Sequence, residues 1–230
     1  METVLLAAGL STRMHGSQKL LLPWGDETVA AHCVRQALFG LRDILMASPT
    51  APEQSAGRLI VVTGCDAVPV RKALEPIEGQ LEAGLFDVQS DAAFLRRPEL
   101  LFVHNQRYCF GQFSSTLAGV AAVSQGSPFF ITMGDLPLIT AAHYGKLVGQ
   151  LDGYDAVRPA CAGTPGHPVL HAARLREEIL KLPETATMRS LLAVKKTTAT
   201  DDGDIAWISD IDTPEAYRSL YVLTFGRLPS

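Results

Sequence analysis

Short apolar runs alternate with amphipathic stretches from one end of the 230-residue chain to the other. This pattern predicts an α/β domain with a mostly parallel sheet, because such strands are buried on both faces and amphipathic helices cover them. The first apolar run, Thr3 to Ala7, is a predicted strand, and an amphipathic helix is predicted from about Thr28 to Phe39. Further strands are predicted at Leu59 to Thr63, closed by Gly64, and at Leu100 to His104, Pro128 to Met133, Ala156 to Arg158, Pro168 to Leu170 and Ile205 to Ile208. Further helices are predicted at Leu117 to Val123, Ala141 to Leu151, Ala172 to Leu182 and Thr213 to Tyr221.

Polar and helix-breaking residues indicate where these elements begin and end. Ser114 and Ser115 mark the start of the helix that contains Leu117, because their hydroxyls can accept hydrogen bonds from free amide groups. Pro214 lies in the first turn of the closing helix, where a missing amide is tolerated. Two segments, Ala47 to Gly57 and Gly79 to Pro98, carry proline, glycine and mixed charge, and they are predicted as irregular surface excursions.

Composition narrows the class of protein. Hydrophobic residues make up 47% of the chain and charged residues 19%, which excludes disorder, and the net charge of -4 argues against a long nucleic-acid-binding face. The first residues lack a basic leader, and no apolar run approaches the length of a membrane helix. Cys33, Cys65, Cys109 and Cys161 have no paired spacing, which suits a reducing cytoplasm. We therefore expect one cytoplasmic domain over residues 1–230 that binds neither nucleic acid nor membrane.

A glycine-containing loop from Leu6 to Lys19 follows the first predicted strand. Small residues at the carboxyl end of a strand let a ligand approach the backbone, at the edge where open α/β sheets bind ligands. Gly9 and Gly16 permit turns that aim main-chain amides at phosphate oxygens, and Arg13 and Lys19 add positive charge. The spacing matches neither a Walker A loop nor the dinucleotide fingerprint, so an ordinary connecting loop with solvated cations is an equal alternative.

Two acidic segments contain candidate metal ligands. Asp135 follows an apolar strand and should emerge at the same edge of the sheet, although Gly, Asp and Pro there also suit a simple turn. Asp210 and Asp212 lie on the same side of an extended segment, although an acidic residue before Pro214 also suits a helix start. Mg²⁺ needs only one or two carboxylates when substrate phosphates supply the other oxygens. The residue pattern alone leaves both Asp210 and Asp212 as candidate partners of Asp135.

Two further segments could bind an acceptor. Residues Asn105 to Ser115 precede a helix, whose amino end and serines form a polar wall for an anion or a base, with a simple cap as the alternative. Residues Arg158 to Leu170 are dense in glycine and proline around His167. Pro168 separates His167 from His171 and excludes a helical zinc pair, which leaves a structural histidine or a donor to a phosphate.

Taken in order, these motifs resemble those of the MobA-like NTP transferases, with the molybdenum cofactor cytidylyltransferases as the closest branch. The string Leu-Ala-Ala-Gly-x-Ser-x-Arg-Met, followed by Lys and Leu-Leu-Pro, is similar to the family's opening signature, except that His15 stands where the family usually has Gly. Gly-Asp-x-Pro at Asp135 and Asp-Ile-Asp-Thr-Pro at Asp212 are similar to its metal-binding turn and its C-terminal motif.

Three more segments carry the resemblance. Asn-x5-Gly-x3-Ser, which ends at Ser115, resembles the segment whose serine lies near the nucleotide base. Gly-x-Pro-Gly-His-Pro-Val-Leu around His167 resembles the acceptor-side motif of the cofactor branch. Thr187 to Leu192 also resembles a segment of that branch, but its amphipathic pattern favours an ordinary helix, and we assign it no role.

The resemblance implies a Rossmann-like three-layer nucleotidyltransferase fold and a magnesium-dependent reaction. A terminal phosphate of the acceptor would attack the α-phosphorus of an NTP and release pyrophosphate. It further implies CTP, mildly favoured by Ala8, and molybdopterin cofactor as substrates, and it is compatible with transient contact to a molybdoenzyme or its chaperone. The resemblance implies that the catalytic residues are Arg13, Lys19 and Asp135 and that the metal ligands are Asp135 and Asp212. It implies that the nucleotide is bound by Leu6, Ala7, Ala8, Gly9, Arg13, Lys19 and Ser115. It implies that the acceptor is bound by Asn105, Gly111, Gly166 and His167.

Two other functions remain open on the sequence. One is a cytidylyl- or guanylyltransferase of the same fold that acts on a sugar or polyol phosphate. The other is a protein that binds nucleotide or cofactor without chemistry, although the joint presence of Lys19, Asp135 and Asp212 speaks against it.

Overall fold

A computed structural model describes residues 1–14, 17–47, 57–89 and 95–229. The strands are β1 (Glu2–Ala7), β2 (Pro23–Trp24), β3 (Glu27–Thr28), β4 (Arg58–Thr63), β5 (Val88–Gln89), β6 (Leu95–Arg96), β7 (Glu99–His104), β8 (Phe129–Met133), β9 (Ala156–Cys161), β10 (Thr164–Pro165), β11 (Val169–His171) and β12 (Thr197–Asp201). The α-helices are α1 (Val29–Ala47), α2 (Ala67–Glu82), α3 (Gln112–Ala122), α4 (Ala141–Val148), α5 (Leu175–Leu180), α6 (Met188–Leu192) and α7 (Pro214–Phe225). Short 3-10 helices cover Thr12–Met14, Lys19–Leu21, Tyr108–Phe110 and Ile205–Ile208.

The central sheet has the strand order β10-β9-β11-β8-β1-β4-β7, and β12 pairs with β9. The β8, β1, β4 and β7 strands run parallel, whereas β11 runs antiparallel to both β8 and β9. The carboxyl ends of the parallel strands therefore meet at one edge of the sheet. That edge is where an open α/β sheet offers a crevice to ligands.

The core lies on both faces of this sheet. Every residue of β1 is buried, and alternate side chains point to opposite faces. Val4 packs with residues of α3, α5 and α6, whereas Leu5 packs with residues of α1, α2 and α4. The arrangement is the predicted three-layer α/β fold with a mostly parallel central sheet.

Close packing of α3 on the sheet brings its amino end to the edge where β1 ends. Gly119 makes this approach possible, because a Cβ at that position would lie 2.3 Å from Cγ1 of Val4. Such a distance is far inside van der Waals contact.

The prediction of a strand at Ile205 to Ile208 is wrong. These residues form a 3-10 helix whose first turn is capped by Asp204, which accepts a hydrogen bond from the amide of Ala206 at 2.9 Å. The late strand is instead β12, which the sequence analysis missed because its run Thr197–Asp201 is mostly polar and half-exposed. A short apolar run does not by itself distinguish a strand from a helical turn.

The helix α2 was not predicted from the sequence. Pro76 lies inside this helix and Pro69 in its first turn, and both discouraged a helical assignment. The helix forms because Val70, Leu74 and Ile77 recur at helical spacing and are fully buried. The predicted irregular segment Gly79 to Pro98 therefore begins inside a helix and also contains β5 and β6.

Other predictions concern single positions or segments outside the described residues. Ser114 and Ser115 do not begin α3, which starts at Gln112 with Gly111 as its N-cap. Residues 48–56 of the predicted excursion Ala47 to Gly57, residues 90–94 of the second excursion, and His15 and Gly16 lie outside the described residues. The four cysteines are separate thiols, as predicted. No helix in the described part of the chain is both long and apolar enough to cross a membrane.

Candidate functional site

A cavity of about 340 Å³, here called the loop cavity, opens at the carboxyl ends of β1 and β8. Its wall combines the loop after β1, the end of β8 and the segment before α7. Most residues that were predicted to bind a nucleotide or a metal line it: Leu6, Ala8, Gly9, Arg13, Lys19, Ser115, Asp135 and Asp212. Gly111, which was predicted to bind the acceptor, lines it as well. Ala7 is buried in the sheet behind them. The structure thus brings the N-terminal loop and both acidic motifs to one place.

Backbone hydrogen bonds hold the two acidic segments together. The amide of Gly134 donates to the carbonyl of Leu6 at 2.9 Å, which ties the end of β8 to the end of β1. The amide of Ile211 donates to the carbonyl of Asp135 at 3.0 Å, and the Ile211 side chain is fully buried. Because Ile211 is anchored there, its neighbours Asp210 and Asp212 lie beside Asp135 at the cavity wall.

Lys19 connects the two proposed metal ligands. Its Nζ forms ion pairs with Asp135 and with Asp212, the second at 2.7 Å, and Arg13 pairs with the other oxygen of Asp212 at 2.6 Å. Burial disfavours the charge on Lys19, but attraction to Asp135 and Asp212 outweighs it and raises the lysine pKa. Burial likewise opposes the charge on Asp212, and Lys19 and Arg13 still lower the pKa of that carboxyl. The ion pairs therefore stabilise the charged forms of Lys19 and Asp212.

One carboxylate oxygen of Asp135 has no hydrogen-bond partner among the described residues. The side chain is buried, and the oxygen without a partner is Oδ1. A buried carboxylate oxygen without a partner is costly unless a ligand or ion completes it. Asp135 and Asp212 therefore fit a divalent cation that also takes phosphate oxygens. No group of three or more His, Cys, Asp or Glu residues in the described ranges could hold a metal by itself.

Asp210 also lines the loop cavity but differs from Asp212 in its partners. It forms none of the ion pairs that Arg13 and Lys19 make with Asp212. Burial and repulsion by Asp212 and Asp135 raise the pKa of Asp210. The position that carries paired negative charge in the free protein is thus Asp212.

Gln18 organises the loop between β1 and Lys19. Its Oε1 accepts a hydrogen bond from the Ser11 hydroxyl at 2.5 Å, and its Nε2 donates to Asp66 Oδ2 at 2.9 Å. The Ser11 hydroxyl also accepts from the Lys19 amide at 3.3 Å. Asp66 follows β4 and adopts a left-handed backbone with φ of 53°, which a non-glycine residue rarely does. The two limbs of the loop are thereby held together and attached to the neighbouring strand end.

The opposite wall of the loop cavity comes from the start of α3. The buried Asn105 side chain donates to the hydroxyls of Ser114 and Ser115, each at 2.9 Å. The Ser114 hydroxyl donates to the carbonyl of Arg107 and accepts from no main-chain amide among the described residues, contrary to its predicted capping role. Asn105 therefore lies behind the wall and orients Ser115, which faces the cavity.

A second cavity of about 500 Å³, here called the histidine cavity, shares Gly111 and Gln112 with the loop cavity. His167 lines it, together with apolar side chains such as Phe113. A third cavity of about 150 Å³, the arginine cavity, continues from it past His167 and is also lined by Gly166 and Arg158. Three of the four predicted acceptor-binding residues thus lie along one continuous path, and Asn105 does not reach it.

The environment of His167 defines its chemistry. Its Nδ1 lies 3.4 Å from the carbonyl oxygen of Ile131, which can only accept, so Nδ1 carries the proton. Burial lowers the pKa of His167, so the ring is neutral and its Nε2 is an acceptor. This ring can contribute a hydrogen bond but no positive charge to a ligand in the histidine cavity. Gly166 permits the local path, since a Cβ there would lie 2.2 Å from the Trp207 carbonyl oxygen.

Several residues that line or support the cavities were not singled out from the sequence. Tyr108 and Gln112 line the loop cavity and lie within the segment already assigned to the acceptor side. Asp66 carried a usable signal, because it follows the end of a parallel strand at the ligand-binding edge. Arg158 and Arg189 lie within the segments Arg158 to Leu170 and Thr187 to Leu192, but neither arginine was assigned a role, because a local pattern does not show which cavity a side chain will line.

The sequence of this chain is similar to those of known proteins. The family model of the MobA-like NTP transferase domain matches residues 3–201. The molybdenum cofactor cytidylyltransferase of Escherichia coli (strain K12) is 26% identical over 216 residues, which cover 94% of this chain and 93% of that protein.

Two solved structures show the same fold. A nucleotidyl transferase from Methanothermobacter thermautotroptrophicus is 22% identical with a TM-score of 0.68, and the match covers 97% of this chain and 98% of that one. The Mycobacterium tuberculosis H37Rv protein Rv0371c, determined in complex with manganese, is 21% identical with a TM-score of 0.58, and the match covers 96% of this chain and 97% of that one.

Proposed function

Because the chain belongs to the MobA-like NTP transferase family and is a nucleotidyltransferase, we propose that it transfers CMP from CTP to the terminal phosphate of molybdopterin cofactor and releases pyrophosphate. The observation that carries this proposal is the convergence of Arg13, Lys19, Asp135 and Asp212 on the loop cavity, with a second cavity directly beside it. One cavity can hold a triphosphate and the other an acceptor whose phosphate reaches the shared wall. That juxtaposition suits in-line transfer between two bound substrates.

In this proposal the loop cavity binds the triphosphate. Arg13 and Lys19 are neutralised by carboxylates in the free protein, and they turn to the phosphate oxygens when the nucleotide arrives. Asp135 and Asp212 would then hold Mg²⁺, whose charge stabilises the phosphates during the displacement. The partnerless Oδ1 of Asp135 supports the placement of a cation at this side of the cavity.

The acceptor needs little chemical activation. A phosphomonoester is already mostly anionic at neutral pH, so its oxygen can attack without a strong general base. The neutral, buried His167 agrees with this, because it lies on the acceptor path without a charge to contribute. Positioning by the two cavities and neutralisation by Arg13 and Lys19 would supply most of the rate.

The identity of the substrates rests on similarity and on Ala8. The cytidylyltransferase from Escherichia coli spans nearly the whole chain, and Ala8 lines the loop cavity. The rival is a cytidylyl- or guanylyltransferase that acts on a sugar or polyol phosphate. Pyrophosphate release should be measured for CTP and GTP, each with molybdopterin cofactor, a sugar phosphate and a polyol phosphate. Turnover with CTP and molybdopterin cofactor alone is the expected result, and pyrophosphate release that does not require molybdopterin would refute the assignment.

The metal assignment is tested at Asp135. Asp135→Ala, and the isosteric Asp135→Asn, should lower the rate of pyrophosphate release by about 100-fold or more, because charge stabilisation at the phosphates is lost. Asp152→Asn, at an exposed site remote from the cavities, is the matched control and should behave as wild type. Thermal melting checks that the variants are folded. Normal activity in folded Asp135→Asn would refute the role of Asp135 and favour a protein that binds nucleotide without chemistry.

A further inference from the structure

The arginine cavity is lined by two cations that no described residue neutralises. Arg158 comes from β9 and Arg189 from α6, and both line this cavity. Within the described part of the chain, neither side chain forms an ion pair or a side-chain hydrogen bond. Arg107, by contrast, forms an ion pair with Glu184 at 2.6 Å, and Glu184 lines the neighbouring histidine cavity. Arg158 and Arg189 are therefore available to an anion from outside.

The rest of the lining is arranged for a ligand that is not a cation. Among the described residues that line the arginine cavity there is no carboxylate. His171 lies against it and is 1% exposed. Burial lowers the pKa of His171 to about 3, so the ring is neutral and offers one donor and one acceptor.

The position of the cavity connects it to the proposed reaction. The loop cavity meets the histidine cavity at Gly111 and Gln112, and the histidine cavity meets the arginine cavity at His167 and Arg189. An acceptor that places its reacting phosphate at Gly111 therefore has its far end near the two arginines. Guanidinium groups bind oxyanions through paired, charge-assisted hydrogen bonds.

We propose that Arg158 and Arg189 bind a second anionic group of the acceptor, at the end opposite to its reacting phosphate. This inference rests on the proposed function for the reacting phosphate, and it narrows the substrate class to elongated acceptors with an oxyanion at each end. A second phosphate and an oxo-metal centre share that chemistry. A polyol monophosphate has no second anion and leaves both arginines unmatched, so these arginines are specificity determinants against it.

The kinetic test uses Arg158→Gln, Arg189→Gln and the double variant, with CTP and molybdopterin cofactor as substrates. The double variant should raise the KM for the acceptor by about tenfold or more, because charge-assisted hydrogen bonds are lost, and leave the KM for CTP unchanged. Arg227→Gln removes an exposed arginine that lines none of the three cavities and is the matched control. Melting temperatures confirm that the variants fold. An acceptor KM within twofold of wild type in the folded double variant would overturn the proposal.

A binding test separates this proposal from the proposed function. Inorganic phosphate and molybdate are titrated into protein with ¹³C-labelled histidine, and the ring signals of His167 and His171 are followed by NMR. Shifts in wild type that are absent from the double variant support an anion site, and the tighter of the two ions distinguishes a phosphate from an oxo-metal group. Unshifted signals in wild type overturn it. If wild type releases no pyrophosphate with any acceptor, the proposed function fails, and this titration still decides whether the arginines hold an anion.

Discussion

The loop cavity and the arginine cavity lie at opposite ends of one path, and they differ in whether their positively charged side chains form ion pairs. In the loop cavity Arg13 and Lys19 both form ion pairs with Asp212, and Lys19 also forms an ion pair with Asp135. In the arginine cavity Arg158 and Arg189 have no carboxylate partner among the described residues.

The difference indicates two modes of binding. A triphosphate must exchange existing ion pairs for new ones, which a metal ion facilitates by taking over the carboxylates. An anion at the arginine cavity breaks no ion pair. The comparison therefore predicts a strong link between metal and nucleotide at the first site and simple anion binding at the second.

The largest expected effect comes from removing the cation shared by the two carboxylates. Lys19→Met should lower the rate of pyrophosphate release by about 100-fold, because a preorganised positive charge at the phosphates is lost. It should also increase the affinity of the nucleotide-free protein for Mn²⁺, measured by electron paramagnetic resonance, because the ammonium no longer competes for Asp135 and Asp212. Lys72→Met, on the exposed face of α2, is the control. Unchanged or weaker Mn²⁺ binding in Lys19→Met would show that the ion pairs do not mask a metal site.

A smaller effect is expected from the neutral histidine of the arginine cavity. The folded-state pKa of His171 lies near 3, below its ordinary value of 6.5, so the unfolded state binds more protons as the pH falls. The stability contributed by neutral His171 is complete above pH 6.5 and is lost as the pH falls from 6.5 towards 3. The free energy of unfolding of wild type should therefore drop between pH 7 and pH 5 by about 2 kcal/mol more than that of His171→Phe.

Denaturation by urea at the two pH values measures that difference, and charges shared by both proteins cancel in it. Phenylalanine keeps the stacking of residue 171 on Phe129, whose ring centroid lies 5.2 Å away. Parallel pH profiles for wild type and His171→Phe would indicate that His171 is not held neutral, and the electrostatic description of the arginine cavity would then be incorrect.

The smallest expected effect concerns the hydrogen bond between Gln18 and Asp66. Asp66→Ala should raise the KM for CTP by about threefold to tenfold, because one hydrogen bond that positions the loop is lost, and leave the acceptor KM unchanged. Asp66→Asn keeps an acceptor and tolerates the left-handed backbone, so it should restore the wild-type KM. Asp66→Gly relieves the backbone but lacks the acceptor and should resemble Asp66→Ala. A wild-type KM in Asp66→Gly would assign the effect to backbone strain and not to the hydrogen bond.

Much of the fold could be predicted because burial leaves a periodic record in the chain. The β1 strand is buried at every position, and its continuous apolar run correctly predicted a central strand. The record failed at α2, where Pro76 sits inside a helix that buried side chains stabilise, and at Ile205 to Ile208, where four residues are too few to distinguish periods. Both errors arose where tertiary packing outweighed local signals.

The candidate site was predictable where its residues directly follow a strand or alternate along an extended segment. Asp135 comes directly after β8, and Asp210 and Asp212 were expected to share a side, and all three line the loop cavity. The helix-capping role assigned to Ser114 did not hold, because its hydroxyl is used by Asn105 and Arg107. Which hydroxyl meets which partner depends on the packing of α3, which no local pattern records.

By itself the sequence determined the layered α/β architecture and the chemical types available at its ligand-binding edge, since local periodicity and strand ends are properties of neighbouring residues. Only the tertiary structure decided which charges are paired. The ammonium of Lys19 meets a carboxylate 193 positions away, whereas Arg158 and Arg189 meet none among the described residues. Ion pairing depends on distances between segments that are remote in the chain, and those distances are set by how the strands and helices pack.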